Sequence, residues 1–132
     1  MKTESHLRSI KESLEVINEC LERGLETRQR TIGFSVSAAS ADMLETLLHQ
    51  LNLIDSGFVL KHEWLKSKNK VTEKLPFDFP KKNEILVLMA EIEQKRNILC
   101  YGTPQKIETI KEILEKFNRL RKLFREVGLN EA

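Results

Sequence analysis

A chain of 132 residues, 40% hydrophobic and 32% charged, is sized for one domain over 1–132, with a single core under a charged exterior. Its net charge of +2 excludes a binder that holds nucleic acid by bulk charge, so any phosphate contacts must come from local clusters. Aromatic residues at only 6%, beside abundant Leu, Ile, Glu and Lys, favour helices over sheets.

The first segment, "MKTESHLRSIKESLE" and onward, repeats apolar residues at Leu7, Ile10, Leu14, Ile17 and Leu21, one narrow helical seam. Thr3 or Ser5 is placed to cap its start and Gly24 to stop it. Amphipathic and rich in Glu, it lacks the apolar centre of a secretory signal. No apolar run approaches the roughly 18–20 residues that span a bilayer, so a cytoplasmic protein without membrane contact is expected.

"ETRQRTIGFSVSAASADMLETLLHQLNLI" predicts a second helix, with Val36, Ala39, Met43, Leu47, Leu51 and Ile54 on one face and Leu44 and Leu48 widening it. The β-branched "TIGFSVS" alternates like a strand, but a lone strand has no ladder partner, which favours helix there too. The small residues Ser37 to Ala41 suit close approach of another helix.

"SGFVLKHEWLKSK" predicts a third helix carrying Phe58, Val59, His62, Trp64 and Leu65. A long loop, about residues 66–83, is expected next. Pro76 and Pro80 disfavour helix there, Lys68, Lys70, Lys74, Lys81 and Lys82 keep it solvated, and Phe77 and Phe79 pin its middle. Asn83 is placed to cap a helix from about Glu84 to Tyr101, ended by Gly102. Thr103 and Pro104 read as a cap and first position for the last helix. That helix carries Ile107, Ile110, Leu114, Phe117, Leu120, Leu123, Phe124 and Val127 and closes at Gly128. The expected fold is all-α, an up-and-down antiparallel bundle of four to five helices.

Most chemical motifs fail on a required residue. "HEWLK" at 62–66 begins like the zinc-protease HExxH, but Lys66 stands where the second histidine must be. "GFSVS" at 33–37 lacks the closing glycine of a nucleophile elbow, and no phosphate-binding glycine loop is present. Glu91 and Glu93, two apart on a helix, point in different directions and are expected to be solvated, not a general acid and base. His6, His49 and His62 show no ligand spacing with each other or with the cysteines, so neither metal nor cofactor is expected. Cys20 and Cys100, far apart and without a CxxC, read as buried thiols in a reducing compartment. Two basic stretches, Lys66 to Lys82 and Lys116, Arg119, Arg121, Lys122 and Arg125, can face solvent or contact phosphate.

The informative stretch is "EIEQKRNILCYG", residues 91–102. The apolar spacing of Ile85, Leu88, Met89 and Ile92 asks for an apolar residue near 96, but Lys95, Arg96 and Asn97 stand there before Leu99 resumes the stripe. An arginine on the apolar side of a helix must snorkel to water, pair with a carboxylate, or line a polar cleft.

"RNILCYG" late in this helix, with "FSVSAASADMLETLLH" upstream, resembles the HEPN superfamily of small prokaryotic helical domains. The resemblance implies a bundle of four or five helices that usually dimerises. It also implies a metal-independent ribonuclease or an inactive relative, often paired with a small nucleotidyltransferase. The family's active motif is an arginine, commonly followed by a polar residue, then four to six residues on a histidine. Arg96 and Asn97 match the first part; the histidine positions hold Tyr101, Gly102 and Thr103. A phenol keeps its proton far above neutrality and is a poor substitute for histidine as a base.

The expected function is therefore a HEPN-like homodimer that binds nucleotide, RNA or a nucleotidyltransferase partner and lacks efficient nuclease activity. Arg96, Asn97 and Tyr101 are the candidate active-site remnants, and Lys95, Arg96, Asn97, Arg119 and Lys122 are the candidate phosphate or RNA contacts. The alternatives are a metal-independent ribonuclease of a toxin–antitoxin-type pair and a purely structural protein–protein adaptor.

Overall fold

In the computed structural model, which describes residues 3–129, α1 runs Thr3–Arg23. It buries His6, Ile10, Ile17 and Cys20, a face rotated one position from the leucine seam, and leaves Leu21 53% exposed. The helix is already formed at Thr3, so Ser5 lies inside it rather than capping it. Gly24 ends it as expected: its φ of 112° suits glycine, and its N–H bonds Cys20 O at 3.0 Å.

A turn of five residues leads to α2, Gln29–Gln50, which returns antiparallel along α1. Its buried residues include Ile32, Val36, Ala39, Met43, Leu44, Leu47 and Leu48, and "TIGFSVS" is helical. The expected continuation through Leu51 and Ile54 is wrong. Asn52 takes a left-handed φ of 57° and Leu53 N–H bonds Leu48 O at 2.9 Å, a closure that asparagine performs as glycine would.

The predicted third helix is not formed. Asp55 Oδ1 accepts from Gly57 N–H at 2.9 Å in a side-chain turn, and only a 3-10 turn forms at His62–Lys66. Within the expected loop lies a short helix instead, α3, Lys68–Lys74. Ser67 caps it by accepting from Lys70 N–H at 3.2 Å, and Pro76 follows its end. The whole connection lids the bundle. Leu60, Leu65, Leu75 and Phe79 are buried, Phe77 packs against the core, and Lys82 Nζ bonds the carbonyls of Leu75 and Phe77 at 2.9 and 2.6 Å.

α4 is Lys82–Tyr101 and α5 is Ile107–Glu126. The residue flanking α4 is Lys81 at φ 58°, not Asn83, which lies within the first turn. α5 starts later than Thr103–Pro104 suggests. Gln105 and Gln29 hold each other reciprocally, Gln105 N–H to Gln29 Oε1 and Gln29 Nε2 to Gln105 O, both at 2.9 Å, which pins this segment to the start of α2. Gly128 (φ 100°) closes α5, and the buried Leu129 donates its N–H to Phe124 O.

α4 and α5 are antiparallel in constant register. The ion pairs Lys81–Glu126, Glu91–Lys116 and Lys95–Glu112 (2.6, 2.8 and 2.6 Å) match every step along α4 with an equal step back along α5. α2 lies at the centre of the bundle, packed on α1, α4 and α5, and its apolar residues meet Ile85, Met89, Ile92, Ile110, Ile113, Phe117, Leu120 and Phe124 in one core. The fold is an all-α, up-and-down bundle without a strand among the described residues. No described helix is long and apolar enough to cross a membrane.

Candidate functional site

The start of α2 crosses the end of α4 at Gly33. A Cβ there would stand 2.8 Å from Cys100 Sγ and 3.3 Å from Leu99 Cβ, so the glycine sets how closely the backbones approach. On the inner side of this crossing, Ser37 Oγ donates to Glu93 Oε1 at 2.5 Å. Glu93 is 1% exposed and its Oε2 is buried without a hydrogen bond. Burial pushes its carboxyl above the ordinary range; the Ser37 hydrogen bond and the charges of His62, Arg96 and Lys66 pull it part of the way back.

One turn on, Arg96 is buried, 8% exposed, with its guanidinium beside two rings. Its central carbon lies 5.0 Å from the Phe34 ring and 5.7 Å from the Tyr101 ring, which meet edge to face at 6.1 Å. Arg30 covers Phe34 from α2 at 5.9 Å. Both arginines act on Cys100, drawing its thiol down against the larger upward effect of burial. Tyr101 is 66% exposed, and Phe34 and Ile98 beside it are also exposed. Among the described residues neither Arg30 nor Arg96 is ion-paired with a carboxylate, and the Arg96 guanidinium lies along two aromatic faces.

The remaining predicted residues divide between this crossing and another face. Asn97 is half-buried, one turn before Tyr101 on the same side of α4. Lys95 points to α5 and is paired with Glu112. Arg119 and Lys122 line an open groove with Glu84, Val87, Glu91 and Lys116, away from Arg96. No family model, curated protein or solved structure matches this chain.

Sequence reading missed Arg30 and Phe34, and it expected Glu93 to be solvated, whereas the packing of α4 on α2 buries it to 1% exposure. The small residues Ser37 to Ala41 marked a place for close approach of another helix, but nothing in the pattern located α4 against it. Two unpaired guanidiniums framed by exposed rings can grip a phosphate and stack a base. No histidine lies between residues 30 and 37 of α2 or between 93 and 101 of α4, and His62 bears on the crossing through its charge on Glu93.

Proposed function

We propose that this protein is a HEPN-like binding module that holds a phosphate of a nucleotide or single-stranded RNA at the α2–α4 crossing, working as a homodimer without efficient nuclease activity. The observation that carries this reading is the Arg96 guanidinium, without a carboxylate ion pair among the described residues and flanked by the exposed Tyr101 and Phe34 rings. Arg96 and Arg30 supply charge, the rings supply stacking surface, and Tyr101 in the histidine position explains binding without cleavage. A small nucleotidyltransferase is the partner this reading expects. The exposed apolar trio Phe34, Ile98 and Tyr101 favours the second reading, a protein-binding adaptor in which the same patch meets another chain.

Titration of a labelled single-stranded oligoribonucleotide, with chelator present, tests the proposal. Tyr101→Ala is expected to weaken binding by about 5-fold or more, the worth of one lost stacking contact. Arg30→Ala should also weaken binding and make it less sensitive to salt. Unchanged affinity in both variants would contradict the proposal and leave the adaptor reading. Cleavage of the RNA that disappears in Arg96→Ala would instead establish a ribonuclease.

A further inference from the structure

A second polar cluster lies away from this crossing, between α1 and the end of α2. His6 is 2% exposed, Glu45 5%, and His49 is half-buried. Asp42, Glu45 and His49 fall on one face of α2, at steps of three and four, opposite His6.

We propose that His6, Glu45 and His49 form a binding site for one borderline divalent cation of the zinc type. One ligand atom from each of the three residues lies within 4.8 Å of the others. For His6 and Glu45, the other ligand atom is already engaged. His6 Nδ1 meets Asp42 Oδ1 at 2.7 Å, which fixes the tautomer that leaves Nε2 free as a donor of its lone pair. Glu45 Oε1 accepts from Leu60 N–H at 2.6 Å, leaving Oε2 to turn inward. The inward atoms lack such partners. His6 Nε2 and His49 Nε2 are both buried without a hydrogen bond. Glu45 Oε2 lies 2.7 Å from His6 Nε2, yet the two are not aligned as donor and acceptor.

Two ring nitrogens left unsatisfied in a buried site are costly, and a single cation satisfies both. Two imidazoles and one carboxylate suit Zn²⁺ in preference to Mg²⁺ or Ca²⁺, which favour all-oxygen shells. Three protein ligands leave a fourth position for water, and the half-buried side of His49 is the way in. The ion would tie α1 to α2 and, through Glu45 and Leu60, to the lid. This site shares no residue with the Arg96 crossing, so the two proposals stand or fall separately.

The test is titration of the chelator-stripped full chain with Zn²⁺ against a chromophoric competitor, with Co²⁺ as spectroscopic substitute and circular dichroism as the check on folding. The expected result is one ion per chain, a raised thermal midpoint with Zn²⁺, and visible Co²⁺ bands of a four-coordinate site without thiolate charge transfer. His49→Ala should weaken binding by about 100-fold or more, and Asp42→Asn by about 10- to 100-fold through loss of the tautomer lock. Glu45→Gln, which keeps the acceptor for Leu60 N–H, should lose the site while staying folded. A folded wild type that binds no stoichiometric Zn²⁺, or binds it no more tightly than a folded His49→Ala or Glu45→Gln, would overturn the proposal and leave a histidine–carboxylate network only. Thiolate bands with Co²⁺ would overturn it equally, by placing the ion on Cys20 or Cys100.

Discussion

Glu93 shows how one buried carboxylate couples the site to pH. Burial holds its proton affinity above the ordinary value of 4.5, so the folded chain binds that proton more tightly than the unfolded chain does. Its contribution to stability is therefore fully present below about pH 4.5 and is lost as pH rises through the higher folded value. Glu93→Gln removes the titration and still offers an oxygen to Ser37. Denaturant midpoints across pH 4 to 8 should show wild type losing stability relative to the variant as pH rises; a constant difference would contradict the account. Arg96, one turn away, lowers the proton affinity of this carboxyl, but by less than burial raises it.

Among the elements, the α2–α4 crossing depends on the missing side chain at Gly33. Gly33→Ala gains about 0.5–1 kcal/mol of helix propensity, but overpacking a tight contact costs about 1–3 kcal/mol. Sγ of Cys100, at 2.8 Å from the new methyl, is the main obstacle. Urea denaturation should therefore show Gly33→Ala destabilised by about 1 kcal/mol, with much of that loss recovered when Cys100→Ala is added. Equal losses in both backgrounds would show that the crossing does not depend on this contact. The same crossing marks what sequence could and could not reveal. The helical periods of α1, α2, α4 and α5 were legible because each buries an apolar face, and Gly24, Gly102 and Gly128 were legible as stops. The lid was not. Its 3-10 turn and α3 are too short to show a period, and their positions follow from Asp55, Ser67 and tertiary burial of Leu60, Leu65 and Leu75. Arg96 was legible as a break in a stripe, whereas its partners Phe34 and Arg30 sit more than sixty residues earlier and became visible only through packing. The His6 cluster was missed for a related reason: Glu45 and His49 had helical ligand spacing, but their third member comes from another helix.

Across the whole molecule, positive charge is distributed unevenly in availability. Lys81, Lys95 and Lys116 are spent on the α4–α5 ion-pair ladder, where exposed pairs contribute little stability but lower the free charge of that groove. The exposed Arg30 and the buried Arg96, by contrast, lie beside aromatic rings with no ion-paired carboxylate among the described residues. The proposed ligand site is therefore the α2–α4 crossing and not the basic-looking groove containing Arg119 and Lys122. Side-chain NMR of the isotope-labelled protein during titration with a mononucleotide and with oligouridylate tests this directly. The guanidinium signals of Arg96 and Arg30 and the ring signals of Tyr101 should shift together and saturate, while those of Arg119 and Lys122 stay still. Saturable shifts confined to Arg119 and Lys122, or no shift in any of them, would contradict it.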